Sequence, residues 1–245
     1  MLPLAGRVGS GAITSLGGSL KRFAVIAVAV LVLAGGGYWL FKQAQDKAQA
    51  AELCTVVKDN ISKNGEIREA STGTRKVAIL GDSYTAGDGL ADKSRNWVHD
   101  LGAAEKWSVK FDGVGMTGYV NGGYCGDQPF SGRATALAHE AKPDLLIVQG
   151  GLNDVGFSST QVEAAAYNVL SSIPAGIDVV AVGPVDAPAR DGEQAVDAAL
   201  SAAAKAAGKR YVSALDWRLE FLPDATHLTE AGHAEYARRV AEAIR

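Results

Sequence analysis

From Lys76 onward, short apolar runs alternate with longer stretches of helical periodicity. The runs predict strands over 76–80, 107–112, 144–149, 177–183 and 210–214. Helices are expected between them at about 94–104, 131–141, 160–172 and 190–207, with a last one from about 229 to 244. That final segment carries Ala237, Val240, Ala241 and Ile244, an i, i+3, i+4, i+7 stripe suited to packing on a sheet. Leu145-Leu146-Ile147-Val148 and Val179-Val180-Ala181-Val182 are continuously apolar, as parallel strands covered on both faces must be. The pattern therefore predicts a three-layer α/β/α domain around a parallel five-stranded sheet. Its reactive rim would lie beyond the carboxyl ends of the strands.

The N-terminal pattern is different. Residues 23–41 form a 19-residue stretch without a charge, about 28 Å long as a helix and close to the thickness of a bilayer core. Arg7, Lys21 and Arg22 precede it, and the first acidic residue is Asp46. This predicts a cytoplasmic segment at 1–22, a transmembrane helix at 23–41, a membrane-proximal helix and connector at 42–75, and an extracytoplasmic domain at 76–245. A cleavable signal peptide with its apolar core at 24–34 is the alternative, and would give a secreted protein. Both readings export the domain.

Residues 43–245 hold 20 of the 24 Lys and Arg and all 27 Asp and Glu, a formal charge of 20 − 27 = −7. That balance argues against a nucleic-acid surface. Cys54 and Cys125 are the only cysteines, and export to an oxidising compartment predicts a disulfide between them. Two such separated cysteines do not suggest a zinc site.

Candidate chemistry lies in three polar clusters. Gly81-Asp82-Ser83-Tyr84-Thr85-Ala86-Gly87 follows the first strand, Gly151-Leu152-Asn153-Asp154 follows the third, and Asp224-Ala225-Thr226-His227 precedes the last helix. A serine needs a base to become a nucleophile, and a histidine needs a carboxylate to fix its tautomer. Ser83, His227 and Asp224 could supply those groups. A helix cap at Ser83 and a surface Asp-His pair are the bland alternatives. Acyl transfer further needs donors for the oxyanion, here the Ser83 N–H, the Gly118 N–H and the Asn153 side chain. Gly113-x-Gly115-x-x-Gly118 superficially matches a dinucleotide fingerprint, but it follows the second strand candidate and no helix follows at once. His99, His139 and His233 are expected to be surface or packed side chains without a catalytic role.

With these blocks in place, residues 76–245 resemble the SGNH hydrolase superfamily, also called GDSL-like esterases and lipases. The resembling blocks are Gly81-Asp82-Ser83-Tyr84, Gly118 within Met116-Thr117-Gly118, Gly151-x-Asn153-Asp154, and Asp224-x-x-His227. Gly115 offers a second alignment for the glycine block, and Tyr84 replaces the usual leucine. The resemblance implies a flavodoxin-like sheet, a triad of Ser83, Asp224 and His227, and an oxyanion hole of Ser83, Gly118 and Asn153. Many exported actinobacterial proteins have a similar layout of basic flank, single span and this domain.

The reaction expected is ester hydrolysis through an acyl-enzyme, without cofactor or metal. Its substrate would be an ester, such as an acylated cell-envelope glycan or lipid. Tyr119, Tyr124 and Phe130 are expected to line an aromatic wall beside an open site. O-acyl transfer or deacylation on envelope glycans or glycolipids, and a non-catalytic envelope-binding module, are the rival functions. Oligomeric state is left open by the sequence.

Overall fold

A computed structural model describes the backbone of residues 17–245 and the side chains from residue 37 onward. The chain divides into two compact units, Met1–Gln49 and Ala50–Arg245. The first contains the start of helix α1 (Gly17–Asn64). Most of the expected transmembrane segment, 23–36, lies outside the residues whose side chains are described. Among the described residues, no helix is long and apolar enough to cross a membrane.

The second unit holds the end of α1 and a sheet of six strands. They are β1 (Arg68–Ser71), β2 (Lys76–Gly81), β3 (Ser108–Gly113), β4 (Leu145–Gln149), β5 (Asp178–Val185) and β6 (Arg210–Ala214). The order is β1-β3-β2-β4-β5-β6, parallel except for β1, which pairs antiparallel with β3. The expected five strands are all present. The additional edge strand, β1, falls where the polar composition suggested only a connector, because an edge strand need bury little.

The helices are α2 (Ser83–Ala86), α3 (Trp97–Glu105), α4 (Phe130–Ala141), α5 (Ser159–Ser172), α6 (Glu193–Ala206) and α7 (Glu230–Ile244). The double coverage inferred from the apolar runs is visible residue by residue. Val77, Ile79, Leu145 and Ile147 pack with α3 and α7, through Trp97, Leu101, Tyr236 and Val240. Ala78, Leu80, Leu146 and Val148 point the other way, into Phe130, Leu137, Val169 and Leu200 of α4, α5 and α6. Helix starts are set by side-chain caps: Asn96 accepts from Val98 and His99 N–H, Ser158 and Gln161 form a reciprocal capping box, and Thr229 accepts from Gly232.

The order in which strands are added reverses at β2, since β3 lies on one side of it and β4 on the other. Ligand crevices in open α/β sheets form at such a switch, beyond the carboxyl ends. The rim there is closed by a buried cation. Arg133, on α4, donates Nε–H and Nη2–H to the two carboxylate oxygens of Asp112 at 3.0 and 2.6 Å. It also donates to Thr117 Oγ1 at 2.8 Å and to the Gly81 carbonyl at 3.3 Å. Both members of the pair are almost wholly buried.

A disulfide joins Cys54 on α1 to Cys125 in the loop before α4, with the Cα atoms 4.8 Å apart. The expected pairing is thus present. Arg133→Met keeps the volume but strands the Asp112 carboxylate away from water. It should destabilise the domain by about 3–5 kcal/mol, read as a lowered urea midpoint.

Candidate active site

Ser83 is presented by the turn from β2 into α2. Asp82 occupies the N-cap, with its Oδ1 accepting from Tyr84 N–H at 3.0 Å and from Gln149 Nε2–H at 3.1 Å. Gln149 Oε1 in turn accepts from Thr85 Oγ1 at 2.8 Å. The end of β3 comes so close that a Cβ on Gly113 would lie 2.5 Å from the Ala86 nitrogen. Only glycine permits that approach.

The histidine arrives from the opposite side, on a tight loop between β6 and α7. Leu222 N–H donates to the His227 carbonyl at 2.7 Å, and Ala225 adopts a left-handed φ of 53°. Asp224 organises this loop. Its Oδ1 accepts from the N–H groups of Thr226 and His227 at 3.0 and 2.9 Å, and its Oδ2 pairs with His227 Nδ1 at 2.7 Å. A carboxylate can only accept here, so His227 Nδ1 carries the donated proton. Partial desolvation works upward on Asp224, but the hydrogen bonds from the His227 ring and the two backbone groups outweigh it and bring its pKa down to about 2.

Ser83, Asn153 and His227 share one cleft of about 140 Å³, together with Gly115, Met116, Tyr124 and Arg190. Among the described residues the Ser83 hydroxyl makes no direct hydrogen bond to His227; bonds of this kind often tighten only around substrate. Asn153 Nδ2 donates one hydrogen to the Thr117 carbonyl at 3.0 Å, which fixes the amide and leaves its second hydrogen. The neighbouring Asp154 is fully buried and accepts from the N–H groups of Tyr119, Val120 and Asn121 at 2.9–3.0 Å. It is a loop clamp, as is Asp82.

Gly118 is placed differently from the expectation. Its N–H donates to the Asn121 carbonyl at 2.9 Å, and its missing Cβ faces the Asp154 carboxylate. Gly115 borders the cleft instead: a Cβ there would stand 3.9 Å from Ser83 Cβ and collide with Asp88 Oδ2 at 2.4 Å. The aromatic wall also differs. Tyr119 and Phe130 are core residues, and of the three expected aromatics only Tyr124 reaches the cleft. Sequence spacing could not separate these cases, because both faces of the 113–130 segment are rich in Gly and aromatics.

Two contributors carried no sequence signal of their own. Tyr84 is buried, yet its hydroxyl donates to the Thr226 carbonyl at 2.6 Å, tying the turn that carries Ser83 to the histidine loop. Asp88 stands at the cleft edge, paired with Lys93 at 2.6 Å. The remaining histidines lie outside the cleft. His99 is half-buried against Phe111 and bonded to Asn96, and His139 is exposed. His233 is buried, accepts Trp97 N–H on Nδ1, and is pushed down to about 4 by burial. Among the described residues, no group of three His, Cys, Asp or Glu side chains is arranged to hold a metal ion.

Burial pushes the Asp82 carboxyl up to about 6, against the opposing hydrogen bonds from Tyr84 and Gln149. Near pH 4 and below, folded and unfolded chains both hold this proton. As pH rises from 4 to 6 the unfolded chain releases it first, so the folded state loses stability across that window. Asp82→Asn keeps the Oδ1 acceptor for both bonds and removes the titration. Relative to the parent, the variant should gain up to about 3 kcal/mol between pH 4 and 7 in paired denaturant titrations.

Comparison with known proteins agrees with this architecture. The chain resembles Est24, a carbohydrate acetylesterase from Sinorhizobium meliloti, at 17% identity and a TM-score of 0.61, over 70% of this chain and 98% of that one. The psychrotrophic esterase EstA from Pseudoalteromonas sp. aligns at 16% identity and a TM-score of 0.58, over 70% and 97% of the two chains. The salicylyl-acyltransferase SsfX3 from a tetracycline biosynthetic pathway aligns at 16% identity and a TM-score of 0.53, over 71% of this chain and 55% of that one. No curated protein sequence matches. The profile of the GDSL-like lipase/acylhydrolase family matches residues 79–235, a span that contains Ser83, Asn153, Asp224 and His227. By that match, which covers more than half of its length, the chain belongs to the GDSL-like lipase/acylhydrolase family.

Proposed function

We propose that the protein is a serine esterase that hydrolyses carboxylic esters through an acyl-enzyme, outside the cytoplasm and anchored by residues 23–41. The observation that carries this reading is the 2.7 Å Asp224–His227 pair opening into the same cleft as Ser83. His227 Nε2 takes the hydroxyl proton as Ser83 Oγ bonds to the carbonyl carbon. The C–O bond of the ester then breaks, and the departing alkoxide receives that proton. Water, deprotonated by the same ring, attacks the acyl-enzyme and releases the acid and free Ser83.

Negative charge on the tetrahedral oxygen would meet three donors: the N–H groups of Ser83 and Gly115 and the free Asn153 amide hydrogen. Neither backbone N–H is committed to a protein acceptor among the described residues. Gly115 takes this role in place of Gly118, whose N–H is already engaged. Asp224, held ionised far below neutral pH, stabilises the imidazolium throughout the working range. Extracytoplasmic placement is supported by the basic flank before the 19-residue uncharged run and by the disulfide, which suits an oxidising compartment.

Reaction of the full chain with a fluorophosphonate, followed by intact mass, tests the reading. One label and ester turnover are expected, and both should vanish in Ser83→Ala; a folded parent that takes no label would defeat it. Asn153→Ala should keep the label but lower kcat by roughly 10²–10³-fold. Tyr84→Phe removes only the bond to the Thr226 carbonyl. A fall in kcat of about fivefold at unchanged KM is expected, the worth of one neutral hydrogen bond that positions the histidine loop.

A further inference from the structure

Beside the cleft lies a larger groove of about 550 Å³, with the end of α1 as one wall and the rim of the sheet as the other. Its volume falls within the range of small-molecule sites. Leu53, Val57 and Ile61 recur at helical spacing on the face of α1 turned toward the domain, and Ala86 and Val114 answer from the opposite wall. These α1 residues stay only partly buried, so the helix is held beside the domain without filling the space between. The Cys54–Cys125 disulfide holds it there, one residue from Leu53 and one from Tyr124.

Groove and cleft meet along Asp88, Gly115 and Tyr124, which line both. Gly115 is next to Ser83, so a chain attached to a carbonyl at Ser83 reaches the groove by crossing this border. The charged groups along the groove are largely matched by protein partners. Asp88 pairs with Lys93, Lys63 pairs with Asp59, and the Arg68 guanidinium lies 4.5 Å over the Phe111 ring while donating to the Gly113 carbonyl. Asn60 and Glu66 also line the groove and are exposed to solvent. Apolar walls with internally matched charges favour a neutral alkyl chain over a charged ligand.

We propose that this groove is an acyl-chain subsite, built by α1 together with the domain, which takes the medium-length alkyl tail of the ester cleaved at Ser83. The inference rests on the serine esterase reading, and it makes α1 part of the substrate site as well as a tether. The esters tested are p-nitrophenyl acetate and p-nitrophenyl octanoate, with the full-length chain. The parent should prefer octanoate by at least about tenfold in kcat/KM. Val57→Trp and, separately, Ile61→Trp extend a ring from the helix surface into the groove, and either should lower the octanoate-to-acetate ratio about tenfold. Thermal unfolding identifies a variant that folds; two sites guard against the loss of one. A parent without octanoate preference, or folded variants with an unchanged ratio, would overturn the subsite. Fluorophosphonate labelling separates the two levels: a labelled parent indifferent to chain length overturns the groove alone, and an unlabelled one overturns the esterase reading with it.

Discussion

The Arg133–Asp112 pair governs how the site is assembled, because it sits where the parallel strands run out of partners. At the carboxyl rim of such a sheet the last carbonyls lose their ladder, and buried acceptors must find donors elsewhere. One guanidinium from α4 meets the Asp112 carboxylate and carbonyl, the Gly81 carbonyl and the Thr117 hydroxyl. Ser83 follows Gly81 by two residues, and Gly115 follows Asp112 by three. Their mutual position is therefore inherited from a cation that never reaches the cleft. Desolvating two charges is costly, and the offset is this dense set of hydrogen bonds.

The loops above that rim repeat the same solution with different side chains. Asp154 gathers three successive N–H groups of the 119–121 segment, Asp224 gathers two from its own loop, and Asp82 joins the α2 cap to Gln149. Tyr84 links the serine turn to the histidine loop across 142 residues of sequence. The chemically interesting residues are thus held by carboxylates and a phenol that bind backbone. Preorganisation of this kind brings Ser83 and His227 to one cleft without large rearrangement.

Helix α1 adds a wall that the sheet does not require. The disulfide closes a sequence separation of 71 residues and joins the end of this helix to the loop that carries Tyr124. A segment that seemed to be a tether from composition thereby borders space continuous with the cleft. In the proposed esterase, the walls beside the scissile carbonyl would come from both sides of that bond.

Much of this was legible in the chain itself. Continuous apolar runs such as Leu145–Val148 can only be satisfied by two covered faces, so the layered fold and its parallel strands follow from local pattern. The serine, the Asn-Asp pair and the Asp-x-x-His loop were likewise visible, since each is a short motif whose chemistry depends on neighbours close in sequence. What escaped was long-range. The edge strand β1 is polar because its other edge has no partner, and Arg133 reads as one more polar residue on an amphipathic helix. Gly115 and Gly118 differ by three positions and no composition rule separates them; only the turn through Met116 decides which faces Ser83 and which faces Asp154. Local periodicity determines what each segment becomes, while tertiary structure decides which backbone groups are left free, because a hydrogen bond between distant residues leaves no mark on the spacing of either.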